Sequence, residues 1–525
     1  MGERGFSLLC SYYTTKKGIR LYFGRIFSSS NNTKIVLFEP RRFDTLGRLH
    51  VLPAFRIHST EVMPVNLLLT ATPILLFGVG LYYTVALRGF YLLHPLRCFR
   101  LLFGGRREGG ISPFRALTVA LAGTLGVGNI VGVASALYLG GAGAVLWMLV
   151  SALLAMVLKY AEITLALRHR RPTPEGGFTG GAPYYVEDGL KSKGLPRLGR
   201  FLAVAFAILC LVNAITMGSL LQINAAAGAM ETGFGVPPLI TGGVVAVLAV
   251  VTVLGGAKRI SALTEKLVPF MTVGFLVVCA AVLILRRDRI PAAITAIWKD
   301  AFTVNSAGAG LLGFLTSRGI RFGVMRGLVS NEAGCGTAPM AHAAAEVDLP
   351  ARQGLFGLVE VFVDTVLLCT VTALCILVSD SGPHAYGEDV THTAGAAFSS
   401  VLGEWAGGFF ALSILLFGVA TVICWAHYGM TCAGYLMGSP KSRRTAQGVY
   451  TVLLAASLAM GSVAAPSFAW SLADAAIAVM TLLNLLMLTV MHKEVKAETE
   501  SLLSRVPTGR KCISCREKQP ERRQP

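Results

Sequence analysis

Gly123-Thr124-Leu125-Gly126-Val127-Gly128-Asn129-Ile130 lies in the middle of an apolar run covering about 114–139. Three glycines within six residues cost roughly 1 kcal/mol each relative to alanine in a helix interior. The run therefore predicts a helix that unwinds at its centre. Small residues also mark helix packing faces, a reading that suits Gly132 or Gly140. Gly126 and Gly128 stand two apart and share no helix face, which favours the break. In a bilayer an unwound backbone is tolerated only where protein or a cavity satisfies its polar groups. A second stretch, Ser330-Asn331-Glu332-Ala333-Gly334-Cys335-Gly336-Thr337-Ala338-Pro339, repeats the pattern. Its Ser330, Asn331, Gly334 and Gly336 join Gly126 as candidate break residues.

Outward from these two runs the chain reads as an all-α polytopic membrane protein. Of its 525 residues 54% are apolar and only 14% charged, against about 25% charged in soluble domains. Eleven candidate spans lie at about 65–87, 114–139, 144–167, 201–227, 236–255, 264–285, 312–345, 354–379, 406–436, 448–464 and 469–491. Runs of this length exclude a soluble enzyme, a disordered chain, a disulfide scaffold and an outer-membrane barrel of alternating strands.

The net charge of +19 sits mostly in the tails and in alternate loops, so it orients the chain in a membrane and implies no nucleic-acid partner. Arg88, Arg97, Arg100, Arg106 and Arg107 crowd the first loop, and Arg168, Arg170, Arg171, Lys191, Lys193, Arg197 and Arg200 the third. Lys258 and Arg259 mark the fifth, and Lys441, Arg443 and Arg444 the ninth. The second, fourth, eighth and tenth loops have no such residues. The odd loops and the C-terminus are then expected in the cytoplasm, with a multi-pass protein in the cell (inner) membrane. Arg286, Arg287, Arg289 and Lys299 in the sixth loop break the pattern.

Three segments follow. Residues 1–62 form a basic extension on the wrong side of this topology, expected to be non-native or disordered with translation starting at Met63; a mitochondrial-type transit peptide and a genuine translocated extension are the alternatives. A transporter-like body covers 63–491, and 492–525 is a basic cytoplasmic tail. The tail's Cys512-Ile-Ser-Cys515 lacks the second cysteine pair of a metal site. The remaining cysteines mostly lie in apolar runs and behave as small hydrophobes.

Counted from the second span, the two broken runs open two successive groups of five helices. Five is odd, so the second group enters the membrane from the opposite side. Corresponding broken helices in inverted halves point to a secondary carrier with its site at the midplane. Amides at a half-helix N-terminus attract a carboxylate, while freed carbonyls and side-chain oxygens suit a small hard cation. An amino acid co-bound with Na⁺ fits this chemistry; sugars and nucleobases remain alternatives.

Several blocks resemble the alanine/glycine:cation symporter family, the sodium:alanine symporters. They are Ala120 to Ile130 running on to Lys159-Tyr160-Ala161-Glu162, then Arg326 to Gly334, then Ala338 to Ala345. Gly181-Ala182-Pro183-Tyr184-Tyr185, Gln222-Ile223-Asn224, Gly255 to Ile260, Trp425 to Gly429 and Trp470 to Asp474 support them. The resemblance implies a leucine-transporter-like five-plus-five inverted repeat with one extra N-terminal transmembrane helix. It also implies roles: Val127 and Gly128 for the substrate carboxylate, Gln222 as a polar contact, and Trp425 with Gly429 as the wall. Sodium would be held by Leu125, Asn129 and Thr421. This chain departs from the family pattern with Val127 for Thr, Ala420 for a Ser that ligates sodium, and Ala426-His427 for Ser-Tyr.

Ionisable residues inside apolar spans cost about 2.5–3.5 kcal/mol each to insert and are functional suspects. Lys159 and Glu162 at i, i+3 read as a structural pair. Glu332 either caps freed amides or touches substrate. Asp364, one turn after Glu360, reads as a buried tether or a proton relay, and Asp474 as a helix-end contact. His342 and Glu346 are four apart but lack the HExxH pattern of a hydrolytic metal site. Gly176 to Gly181 lacks a phosphate loop's Lys-Ser/Thr and reads as a flexible turn. The expected function is Na⁺-coupled import of alanine, glycine or a similar small amino acid, without catalysis and without a cofactor beyond the coupling ion. The lipid bilayer is the other expected partner. Rivals are a proton-coupled carrier, with Asp364, Glu332 or His427 as relay, and an ion channel or membrane-embedded enzyme.

Overall fold

The computed structural model describes residues 8–15, 18–25, 41–43, 49–51, 59–102, 111–173, 177–302, 317–387, 389–437, 440–464 and 466–504. Residues up to Leu68 form a unit of their own. Where the sequence predicts no regular structure, two antiparallel hairpins pair Leu8–Thr15 with Gly18–Arg25 and Arg41–Phe43 with Leu49–Val51. Tyr, Thr, Ile and Phe recur in the first hairpin and favour strand geometry, a signal hidden beneath the basic composition. The Cys512/Cys515 pair lies outside the described residues.

The second unit is helical. Its main helices are α1 (Ser59–Ala86, which begins before the unit boundary), α2 (Pro113–Thr124), α3 (Val131–Gly140), α4 (Ala144–Arg168) and α5 (Pro196–Phe234). There follow α6 (Pro238–Leu254), α7 (Gly256–Leu285), α8 (Arg318–Asn331) and α9 (Pro350–Val378). The last are α10 (Trp405–Leu436), α11 (Pro440–Gly461), α12 (Pro466–Val490) and α13 (His492–Ser504). Among the described residues six helices are long and apolar enough to cross a membrane: α4, α5, α7, α9, α10 and the Trp470–Val490 part of α12. Val244, Val247 and Leu254 on α6 and Phe270, Val273, Val277 and Ile284 on α7 are exposed. An apolar outer face of this extent is stable against lipid and not against water.

Ser112 caps α2 by accepting the Arg115 amide at 3.2 Å, with Pro113 at the first helical position, as helix starts favour. Glycines set the closest crossings. On α9 a β-carbon at Gly354 would come within 2.5 Å of Thr164 Oγ1 and 2.9 Å of the Tyr160 carbonyl. One at Gly357 would meet Ile163 Cδ1 at 2.6 Å and Lys159 Cγ at 2.8 Å. This close approach of α9 to α4 corrects the expected Lys159–Glu162 pair. It brings Glu360 to within 3.2 Å of Lys159 Nζ, both fully buried. Glu162 turns to other partners described below.

Several connecting segments are more ordered than the sequence suggests. The expected flexible turn, apart from Gly176, which lies outside the described residues, pairs Phe178–Thr179 with Arg171–Pro172. Arg170 lies 3.8 Å over the Phe178 ring. The exceptional sixth-loop arginines have an electrostatic partner: Arg286 pairs with Asp380, and Arg289 Nη1 reaches the same carboxylate at 2.7 Å. The start of the expected tail is α13, docked on the helical body. Arg168 of α4 binds Glu494 at 3.0 Å and Glu498 at 2.5 Å, and Tyr160 meets Thr499 at 2.8 Å.

The glycine crossing yields a stability test. Gly354→Leu forces α9 away from α4, a destabilisation of about 1–3 kcal/mol for an overpacked core. The expected result is a clearly lower melting temperature in detergent, read by fluorescence-detected gel filtration, with Gly243→Leu, whose surroundings are open, close to the parent.

Candidate functional site

α2 ends at Thr124, and the chain does not resume α-helical form until Val131. Leu125 closes α2, Gly126 is extended, and Val127–Asn129 makes one 3₁₀ turn. The amides and carbonyls that an unbroken helix would pair are taken up by side chains. The Gly126 amide donates to Asn129 Oδ1 at 2.9 Å, and the Val127 amide donates to Gln222 Oε1 at 2.9 Å. Ala122 O accepts the Thr421 hydroxyl at 3.1 Å. The expected break, its flanking Leu125 and Asn129, Gln222 of α5 and Thr421 of α10 therefore meet at one place.

The second break follows α8. Glu332 takes a left-handed conformation at φ 53°, and Gly334 and Gly336 have φ of 91° and 78°. Glycine adopts this region without a β-carbon penalty, which explains the pair. The helix resumes only as the short segment Pro339–His342. Asn331 donates from its side chain to Thr365 at 3.0 Å and accepts the Ala333 amide at 3.0 Å. The Gly336 amide donates to Glu162 Oε1 at 2.9 Å, and Asn484 binds both Glu162 and the Gly334 carbonyl, at 2.5 and 2.9 Å. Glu162 is thus the acceptor for the second break.

The two breaks are joined. Asn129 Nδ2 donates to Ser330 Oγ at 2.9 Å and to Asp364 Oδ1 at 2.5 Å, while Ser330 and Thr365 donate to Asp364 Oδ2 at 2.9 and 2.6 Å. Asp364 is wholly buried. Among the described residues no ion pair includes Asp364, Glu162 or Glu332; the buried Lys159 is paired with Glu360. Glu332 accepts from Trp425 Nε1 at 2.7 Å and from Thr337 at 2.6 Å, so it holds the bulky side chain of α10.

Both flanking helices widen into a π turn beside the breaks, at Thr216–Leu220 in α5 and Phe362–Cys369 in α9, as helices often do at functional sites. The first lets Gln222 Nε2 donate to Met217 O at 3.1 Å and lays Gly218 against Trp425, where a β-carbon would sit 2.3 Å from Trp425 Cβ. The second carries Asp364. Neither turn has a sequence signal of its own. Asp364 has one, an acidic residue inside an apolar span, but apart from the adjacent Thr365 its partners, Asn129 and Ser330, come from two other stretches of chain.

Two expectations are placed differently. Gly429 faces Tyr450 of α11, where a β-carbon would stand 2.2 Å from the ring, and not the break. Asp474 makes no helix-end contact. It binds Arg326 in a two-pronged pair at 2.6 and 3.0 Å, with Ser135 on the same guanidinium and Trp470 4.3 Å beneath it. His342, for which the sequence predicts no metal site with Glu346, binds Glu360 at 3.1 Å and Gln353 at 2.8 Å.

A family model described as the sodium:alanine symporter family matches residues 58–514. The chain belongs to this family. It is 36% identical over 435 residues to the sodium/alanine symporter AgcS of Methanococcus maripaludis, covering 82% of this chain and 93% of that protein. A putative sodium/proton-dependent alanine carrier of Bacillus subtilis, YrbD, is 34% identical over 447 residues, 82% and 90% of the two chains. A probable sodium/glutamine symporter of the same organism, GlnT, is 34% identical over 425 residues, 80% and 85%. Membership makes the protein a multi-pass amino-acid transporter of the symport type, not an enzyme.

In this family member the two break glycines differ in tolerance. A β-carbon at Gly126 would lie 2.5 Å from Thr421 Oγ1 and 2.9 Å from Gln222 Oε1, whereas one at Gly128 would first meet Ser330 Cα at 3.3 Å. Gly126→Ala is expected to cut uptake by more than about tenfold, equivalent to ~1.4 kcal/mol, Gly128→Ala by much less, and Gly128→Leu completely. Radiolabelled uptake into proteoliposomes, normalised to inserted protein, ranks the three.

Proposed function

We propose that this protein is a sodium-coupled symporter that imports alanine, glycine or a similarly small amino acid across the plasma membrane. The carrying observation is the junction of the two breaks through Asn129, Ser330 and Asp364, with Gln222 on the freed Val127 amide. A zwitterion needs a donor for its carboxylate and acceptors for its ammonium, and a cation needs oxygens. In this reading the Val127 and Gly128 amides take the carboxylate once Gln222 releases them, and Trp425, steadied by Glu332, closes the side. Leu125, Asn129 and Thr421 border the coupling ion. The relatives, a sodium/alanine symporter, a putative sodium/proton-dependent alanine carrier and a probable sodium/glutamine symporter, favour amino acids over sugars and nucleobases.

The architecture in this proposal is a leucine-transporter-like five-plus-five repeat of eleven spans, with the C-terminus in the cytoplasm. Alternating access is rocking of one helix set against the other around the breaks. A second reading, proton coupling, is favoured by one observation: Asp364 is a buried carboxylate held, among the described residues, by the neutral donors Asn129, Ser330 and Thr365. Such a group serves either as an anionic ligand to Na⁺ or as a proton carrier.

Counterflow of a panel of amino acids, with external Na⁺ or with choline at fixed pH, tests the substrate and the ion together. Under sodium coupling, uptake collapses in choline, and Thr421→Ala raises the half-saturating Na⁺ about tenfold, as losing ~1.4 kcal/mol of binding does. Ala420→Ser lowers it modestly. Asp364→Asn keeps Na⁺ dependence but weakens it if Asp364 is a ligand. Uptake indifferent to Na⁺, and lost in Asp364→Asn together with its response to a pH gradient, would establish the proton reading instead.

A further inference from the structure

At the end of the helical body where α4 finishes, a cavity of about 150 Å³ opens between Arg171, Thr179, Tyr184, Arg200, Tyr435 and Arg443. The three arginines come from three separate elements: the strand after α4, the start of α5 and the first turn of α11. Two of them are held from behind. Arg171 donates to Asp188 at 2.9 Å and to Glu187 at 3.3 Å, with Tyr184 5.2 Å beneath its guanidinium. Arg200 donates to the Tyr435 hydroxyl at 3.1 Å, which itself donates to Glu187 at 2.7 Å, and the guanidinium lies 5.0 Å over that ring. Arg443 donates only from Nε, to the Met437 carbonyl at 3.3 Å, and among the described residues it belongs to no ion pair. Three guanidinium groups thus converge against two carboxylates, and neither carboxylate lines the cavity.

Glu187 and Asp188 balance Arg171 and Arg200 from behind, which leaves the charge of Arg443 and the open faces of all three guanidinium groups for an anion. The geometry selects among anions. Guanidinium forks match the paired oxygens of a phosphate, and fixing them by carboxylates and ring stacking removes much of the cost of ordering them. The Thr179 and Tyr184 side chains add polar groups for the remaining oxygens. The space admits one phosphate group together with water. The site lies at the end of membrane-crossing helices, the level of lipid headgroups, where basic pockets between helices recruit anionic lipid.

We propose that this cavity binds a phosphate group, carried by an anionic phospholipid headgroup or by a soluble phosphate, and that its occupancy ties the ends of α5, α10 and α11 together. The inference stands apart from the substrate and ion of the transport reaction.

The test uses the purified full-length protein in neutral detergent. Its melting temperature is followed against phosphatidylglycerol, phosphatidylcholine and inorganic phosphate, for the parent, Arg443→Ala, Arg443→Lys and Lys441→Ala. Arg443 and Lys441 are both exposed, so neither change threatens the fold, and the melting temperature without additive verifies this. Lys441 lies on α11 close to Arg443 but does not line the cavity. The expected result is stabilisation by phosphatidylglycerol and not by phosphatidylcholine. The half-maximal concentration rises about tenfold in Arg443→Ala, rises less in Arg443→Lys and is unchanged in Lys441→Ala. Stabilisation by phosphatidylglycerol alone assigns the lipid as the source; stabilisation by inorganic phosphate as well assigns the phosphate group itself. No stabilisation by either, or equal losses in Arg443→Ala and Lys441→Ala, overturns the proposal.

Discussion

The Val127 amide, released from its helix and caught by Gln222, shows on a small scale how this molecule is put together. A backbone donor or acceptor freed within a bilayer has no water to turn to, and leaving it bare costs several kcal/mol. Each break therefore needs a polar side chain delivered from another helix. Gln222, Asn129 and Thr421 serve the first break; Glu162, Asn484 and Asn331 serve the second. The glycine crossings, the π turns and the buried carboxylates all make sense as means of delivering those side chains.

The same demand explains why so many ionisable groups are tolerated inside. Lys159 and Glu360 neutralise each other, and His342 and Gln353 extend that pair. A buried pair of this kind adds little net stability against an apolar alternative, yet removing one partner leaves a costly orphan charge. Glu162, Glu332 and Asp364 are different: each accepts hydrogen bonds from neutral donors, and each touches a break. These polar groups are gathered around the two places where the helices open.

How much of this was readable beforehand depended on the range of the signal. The breaks were legible because glycine spacing is local, and so was the membrane character, because run length is local. The meeting of Val127, Gln222 and Thr421 was reached through family resemblance, since nothing in the spacing of residues 127, 222 and 421 brings them together. The Asn129–Ser330–Asp364 junction was out of reach because it depends on the π turn at Phe362–Cys369 and on the crossing of three helices. Helical spacing pairs Lys159 with Glu162, but the close packing of Gly354 and Gly357 brings Glu360 to it instead. In α13, Glu494 and Glu498 interleave with the buried Val495, Thr499 and Leu502, a helical period masked by the basic composition of the tail.

Arg326 is gripped by two oxygens of Asp474, by Ser135 and by the face of Trp470. A planar fork held on both prongs cannot slide along its partner; it is engaged or it is not. Separation of α8 from α12 by an ångström or two would release both prongs and the ring contact together. The contact between α8 and α12 is therefore all-or-none, a latch rather than a sliding seam.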